Sequence, residues 1–161
     1  MESVIARKTT VIDKLKSGSR IICGLCIIVV LFNLFCTATF FISQAKYAHD
    51  TMTTFAVMRN CISYGISAVI MVMAAIMFFR ISKDGVPFND KNVKTVRNIG
   101  ILILINAILP TTTAAAISGA EMTVMGSLLN PTAFAEGLLF IFTSRIIRYG
   151  AMLQQESDET L

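Results

Sequence analysis

The chain has 161 residues, enough for one domain, with 55 % apolar and only 15 % charged residues and a formal net charge of +4. An average soluble chain carries roughly 25 % charged residues, and so small a protein has too much surface to cover with so few. The apolar residues are bunched between charges, so the composition excludes a soluble domain, and no long acidic tract or basic stripe with interleaved aromatics suggests disorder or a nucleic-acid groove.

The first twenty residues place Val4, Ile5, Val11, Ile12 and Leu15 on one helical face, with Arg7, Lys8, Lys14 and Lys16 mostly on the others. That pattern predicts an amphipathic helix lying on anionic lipid headgroups. Ser17-Gly18-Ser19 is expected to bend the chain into the first span.

Four stretches then lack charge or nearly so. Ile21 to Ala45 runs for 25 residues, Asn60 to Phe79 for 20, Asn98 to Ala120 for 23, and Met122 to Ser144 for 23 with Glu136 inside it. A hydrocarbon core of about 30 Å needs about 20 helical residues. The weak ten-residue alternation of a membrane barrel is absent, leaving helices that satisfy their own backbone inside lipid. The predicted fold is all-α: a four-helix transmembrane bundle (residues 21–148) preceded by the amphipathic helix (1–20) and followed by an acidic tail (149–161). The first stretch is too long for a signal-peptide core, so it is expected to be a retained anchor.

Lysine and arginine set the expected direction. Twelve lie before the first span, between spans two and three, or after span four, against Lys46 and Arg59 on the opposite side. By the positive-inside rule both termini are cytoplasmic. Between spans two and three, Asp84-Gly85-Val86-Pro87 is turn chemistry, and Asn89 or Asp90 offers an oxygen to cap a following helix. Lys91, Lys94 and Arg97 form a basic stripe on that helix, suited to lipid headgroups or to an acidic partner.

Glu136 is the one ionisable residue inside a stretch, and such residues are functional candidates by default. Asn33, Asn106 and Glu136 fall within about 5 Å of the same depth at 1.5 Å per residue. They are expected to meet in the bundle interior, either as polar glue or as a proton- or ligand-coupled site. Pro110 and Pro131 are expected to bend spans three and four, with Thr111, Thr112, Thr113, Asn130 and Thr132 re-satisfying freed carbonyls. Gly65, Ala68 and Gly100 are expected to mark close helix packing. The cysteines, including Cys23 and Cys26, are expected to pack rather than bond. With a single histidine, His49, and no nucleophile–base pair, phosphate loop or ligand set, no catalysis, cofactor or metal is expected. Four spans are few for a transporter unless the chain forms a homo-oligomer.

The stretch Asp84-Gly85-Val86-Pro87-Phe88-Asn89-Asp90-Lys91-Asn92-Val93 resembles the loop of a bacterial membrane family, domain of unknown function 2975, and the end of the chain, from Arg148 to Leu161, is similar to that family's terminal segment. The resemblance implies a small inner-membrane protein with no catalytic residues. Members are often encoded beside a small helix-turn-helix regulator, which implies a cytosolic partner of that kind and no direct contact with nucleic acid. Phe88, Asn89 and Asp90 in the loop, with Tyr149 and Glu156 in the tail, are then the expected partner contacts. A transporter or immunity-type protein using Glu136 and Asn106 is the alternative.

Overall fold

The computed structural model describes residues 2–44, 51–118 and 130–159, with side chains resolved over 10–42, 54–116, 130–153 and 155–156. These residues form four helices and no strand: α1 (Glu2–Gln44), α2 (Thr51–Asp84), α3 (Asp90–Ser118) and α4 (Pro131–Glu159). Within them Thr10–Ile42, Thr54–Asp84 and Asp90–Ala116 are long and apolar enough to cross a membrane. The chain is an all-α membrane protein.

The helices pack in chain order. α1 contacts α2, α2 contacts α3, and α3 contacts α4, with no other pair of described helices in contact. α2 and α3 are therefore the two inner helices, and α3 supplies most of the buried apolar residues: Val93, Val96, Ile99, Ala107, Ala114 and Ala115. Gly100, Ala107 and Ala114 recur a heptad apart along it, so one stripe of small residues lets neighbouring backbones approach.

Between α3 and α4 that approach reaches contact. A Cβ on Gly100 would lie 2.9 Å from the Gly137 carbonyl oxygen and from the Ile141 nitrogen, and a Cβ on Gly137 would lie 2.9 Å from the Gly100 oxygen. Only glycine fits at either position. Gly65, expected to do the same, has nothing within 4 Å and lies on an exposed face of α2.

Two boundaries differ from the sequence reading. α1 is helical without interruption through Ser17-Gly18-Ser19, so the amphipathic segment and the first span are one helix of 43 residues, about 65 Å long. Serine and glycine lower helix propensity by about 1 kcal/mol or less each, which tertiary contacts override. Here Ser19 is buried, and Arg20 Nε donates to Ser82 Oγ of α2 at 3.2 Å.

Pro131 does not bend a span. It is the first residue of α4, where its missing N–H costs nothing, and Asn130 Oδ1 caps the helix by accepting from the Ala133 N–H at 3.2 Å. The Asn130 N–H in turn donates to the Ala107 carbonyl at 3.0 Å. α4 thus begins beside the middle of α3, and residues 122–129 of the expected fourth span lie outside the described residues. Pro110 does sit inside α3, where it removes the N–H that would close on Asn106. The Thr112 and Thr113 hydroxyls donate to Ile108 and Leu109 carbonyls, not to that of Asn106. The cysteines are free, and the Cys23 thiol donates to the Ala75 carbonyl at 3.4 Å, tying α1 to α2.

Candidate functional site

Two regions carry polar chemistry, one at the basic end of the bundle and one near its middle. At the basic end the chain turns from α2 into α3. Gly85 adopts φ +70°, and its N–H closes on the Ile81 carbonyl at 2.8 Å, ending α2 in a left-handed residue. A Cβ there would lie 2.9 Å from Lys16 Cε and 3.2 Å from Ile12 Cγ2, so the amphipathic part of α1 rests on this turn.

Asn89 then starts α3: its Oδ1 accepts from the Asn92 N–H at 2.8 Å, and its carbonyl accepts the first helical bond, from Val93 N–H at 3.0 Å. Asn92 is 2 % exposed, and its Nδ2 donates back to the Pro87 and Val86 carbonyls at 3.1 and 3.4 Å. Asn89 and Asn92 therefore hold the turn itself. Of the three loop residues expected to touch a partner, Asn89 has its carboxamide oxygen engaged in the cap, while Phe88 and Asp90 face outward.

The end of α4 comes to the same place. It stays helical to Glu159, so the acidic segment is a rigid extension of the helix. A Cβ on Gly150 would lie 3.9 Å from Phe88 Cδ1, which places the loop ring against α4 beside Tyr149. Phe88 is 45 % exposed and Tyr149 60 %, with Met152 and Leu153 also exposed on α4. Phe88 and Tyr149, 61 residues apart in the chain, belong to one apolar surface, with Glu156 exposed a turn beyond Met152. Arginines flank it: Arg97, Arg145 and Arg148 line a cavity of about 390 Å³ together with Tyr149 and Met152.

The second region surrounds Asn106. A cavity of about 300 Å³ between α2, α3 and the start of α4 is lined by Arg59, Asn60, Ser63, Asn106, Thr111 and Asn130. Asn106 Oδ1 is buried there without a hydrogen-bond partner, and the guanidinium of Arg59 stacks over the Phe55 ring at 5.8 Å.

The three intramembrane residues expected to cluster are not brought together. Asn33 belongs to α1, which touches neither α3 nor α4, and Glu136 is exposed on α4. No hydrogen bond joins Asn33, Asn106 and Glu136 among the described residues. Asn106 stands level with Asn130, whereas Glu136 stands level with the Gly100 turn of α3, so span midpoints misplace Glu136 along the bundle. Asn106 instead shares its cavity with Asn60, Ser63, Thr111 and Asn130, of which the sequence suggests only a span edge at Asn60 and proline support at Thr111 and Asn130. Among the described residues no group of three His, Cys, Asp or Glu could hold a metal.

The match to known proteins falls on this half of the molecule. Residues 61–161 match the model of the family described as protein of unknown function (DUF2975), and the chain belongs to that family. The matched segment contains both the α2–α3 turn and all of α4. No curated protein and no solved structure matches the chain.

Proposed function

We propose that this is a non-enzymatic protein of the bacterial cytoplasmic membrane that holds a cytosolic protein at the basic end of its bundle. The positive-inside rule supports the orientation, since Arg80, Lys83, Lys91, Lys94, Arg97, Arg145 and Arg148 all belong to that end. The observation that carries the reading is the meeting of Phe88 with the Tyr149-Gly150 turn of α4, two exposed aromatics on a surface built from distant segments. Exposed aromatic anchors at such a seam are what a protein interface recruits. A small helix-turn-helix regulator is the candidate partner. The helical end of α4, carrying Glu156, would face its basic DNA-binding surface, and a regulator held there cannot reach its operator.

Affinity purification from crosslinked native cells tests this, comparing the full chain with one ending at Gly150 and with Phe88→Ala/Tyr149→Ala. The expected result is a small DNA-binding protein retained by the full chain and lost from both variants. Its retention by all three removes the docking surface from consideration.

A second reading is favoured by one observation, the unpartnered Asn106 Oδ1 in its polar cavity. A transporter or ligand sensor would use that cavity, with Arg59 as the charged group. It predicts that Asn106→Leu abolishes function while truncation after Gly150 does not. Glu136→Gln is neutral under both, because Glu136 is exposed and lines neither cavity.

A further inference from the structure

Three guanidiniums from two helices surround one groove. Arg97 comes from α3 and Arg145 and Arg148 from α4, and they line the cavity of about 390 Å³ with Val93, Ile141 and Met152 along its apolar walls. An adjoining hollow of about 260 Å³ shares Val93, Arg97 and Arg148 and adds Lys94. The convergence follows from the glycine contact between the helices. Residues 137, 141, 145 and 148 recur at helical spacing on one face of α4. The seam that seats Gly137 and Ile141 on Gly100 therefore continues outward into Arg145 and Arg148, opposite Arg97, which precedes Gly100 by a turn.

Among the described residues, cations outnumber carboxylates around both hollows. None of the three arginines has an ion-pair or hydrogen-bond partner among the described residues, and Asp90 is the one carboxylate lining either hollow. Like charges gathered this closely repel, so the groove has an electrostatic demand for an anion. Its lower wall asks for something else. Ile141 lies within the apolar run of α4, and its neighbours Leu138 and Phe142 are exposed to the surroundings of the bundle. An anion with an attached hydrocarbon chain satisfies both walls, whereas a free anion satisfies one.

We propose that this groove binds an anionic phospholipid of the adjacent leaflet, its phosphodiester between Arg97, Arg145 and Arg148 and its chain running along Ile141. Basic pockets between membrane helices at the charged interface have this chemistry. The bound headgroup would also mask the arginines beside Phe88 and Tyr149, which would otherwise repel a basic partner.

Native mass spectrometry of the full chain in neutral detergent tests the site. The protein is titrated with phosphatidylglycerol, phosphatidylcholine and inorganic phosphate. Phosphatidylglycerol should bind at least tenfold more tightly than phosphatidylcholine, and excess inorganic phosphate should not displace it. Each of R97Q, R145Q and R148Q should weaken phosphatidylglycerol about fivefold, from roughly 1 kcal/mol per basic residue. The three side chains are exposed, so the variants keep the fold, which thermal unfolding verifies. A control that loses the same charge elsewhere, K14Q/R80Q/K83Q, should keep the preference.

Equal loss in the control would show diffuse attraction and overturn the site, as would a preference that survives the combined variant R97Q/R145Q/R148Q. Binding of inorganic phosphate with no preference among lipids would overturn the lipid in favour of a soluble phosphate. No cytosolic protein is present in this assay, so its outcome is independent of the docking reading.

Discussion

The seam between α3 and α4 and the seam between α1 and α2 are built differently. The first is a backbone contact, in which Gly100 and Gly137 leave no room for a Cβ on either helix. The second is held by side chains: Arg20 on Ser82, the Cys23 thiol on the Ala75 carbonyl, and Lys16 and Ile12 over the Gly85 turn. Glycines occur on both sides, but Gly18, Gly24 and Gly65 have nothing within 4 Å. Inside lipid there is no hydrophobic drive between apolar helices, so close backbone packing is the main source of specific association. The α3–α4 pair is the seam closed by backbone contact, and it carries the arginine groove and the Tyr149 surface. α1 packs along α2 over an extensive seam made through side chains and leaves a wide apolar face exposed.

The largest effect should come from Gly100→Leu or Gly137→Leu. Either forces backbone atoms apart, with an overpacking cost of about 1–3 kcal/mol or more. Thermal unfolding in detergent should show the loss, and the α3–α4 arginine groove should be lost with it. Asn89→Ala comes next. It removes the cap of α3 at a cost of about 1 kcal/mol, and the same unfolding measurement should place it well above zero and below the glycine variants. The smallest effect, of opposite sign, belongs to Gly65→Ala. A side chain there meets open space, and replacing glycine within a helix should stabilise by about 0.5–1 kcal/mol. If Gly65→Ala destabilised as strongly as Gly137→Leu, the contrast between the two seams would be wrong.

The sequence makes three of the spans legible for a simple reason. Charge-free runs are contiguous, and the bilayer imposes a single length on them. The α2–α3 turn is legible too, because Gly85 and Asn89 each have few conformational alternatives, and both do what their residue types predict. Pro131 was not legible. A proline inside an apolar run reads as a kink unless the helix starts there, and the start is fixed by the Asn130–Ala107 bond between distant segments. The polar cluster failed for a related reason. Counting from span midpoints assumes that the fourth helix starts at Met122; it starts at Pro131, so Glu136 stands level with Gly100 and not with Asn106, and Asn33 lies on a helix that touches neither α3 nor α4. Gly65 and Gly100 look alike in sequence, and only the α4 backbone opposite Gly100 separates them.

The central claim is that the α2–α3 loop and the end of α4 act as one docking surface. Photo-crosslinking in living cells tests it directly, with a photoreactive residue placed singly at position 88, at position 149 and, as a distant exposed control, at position 65. The account predicts that positions 88 and 149 trap one and the same small DNA-binding protein and that position 65 traps none. Different proteins at 88 and 149, or the same protein at all three positions, would contradict it.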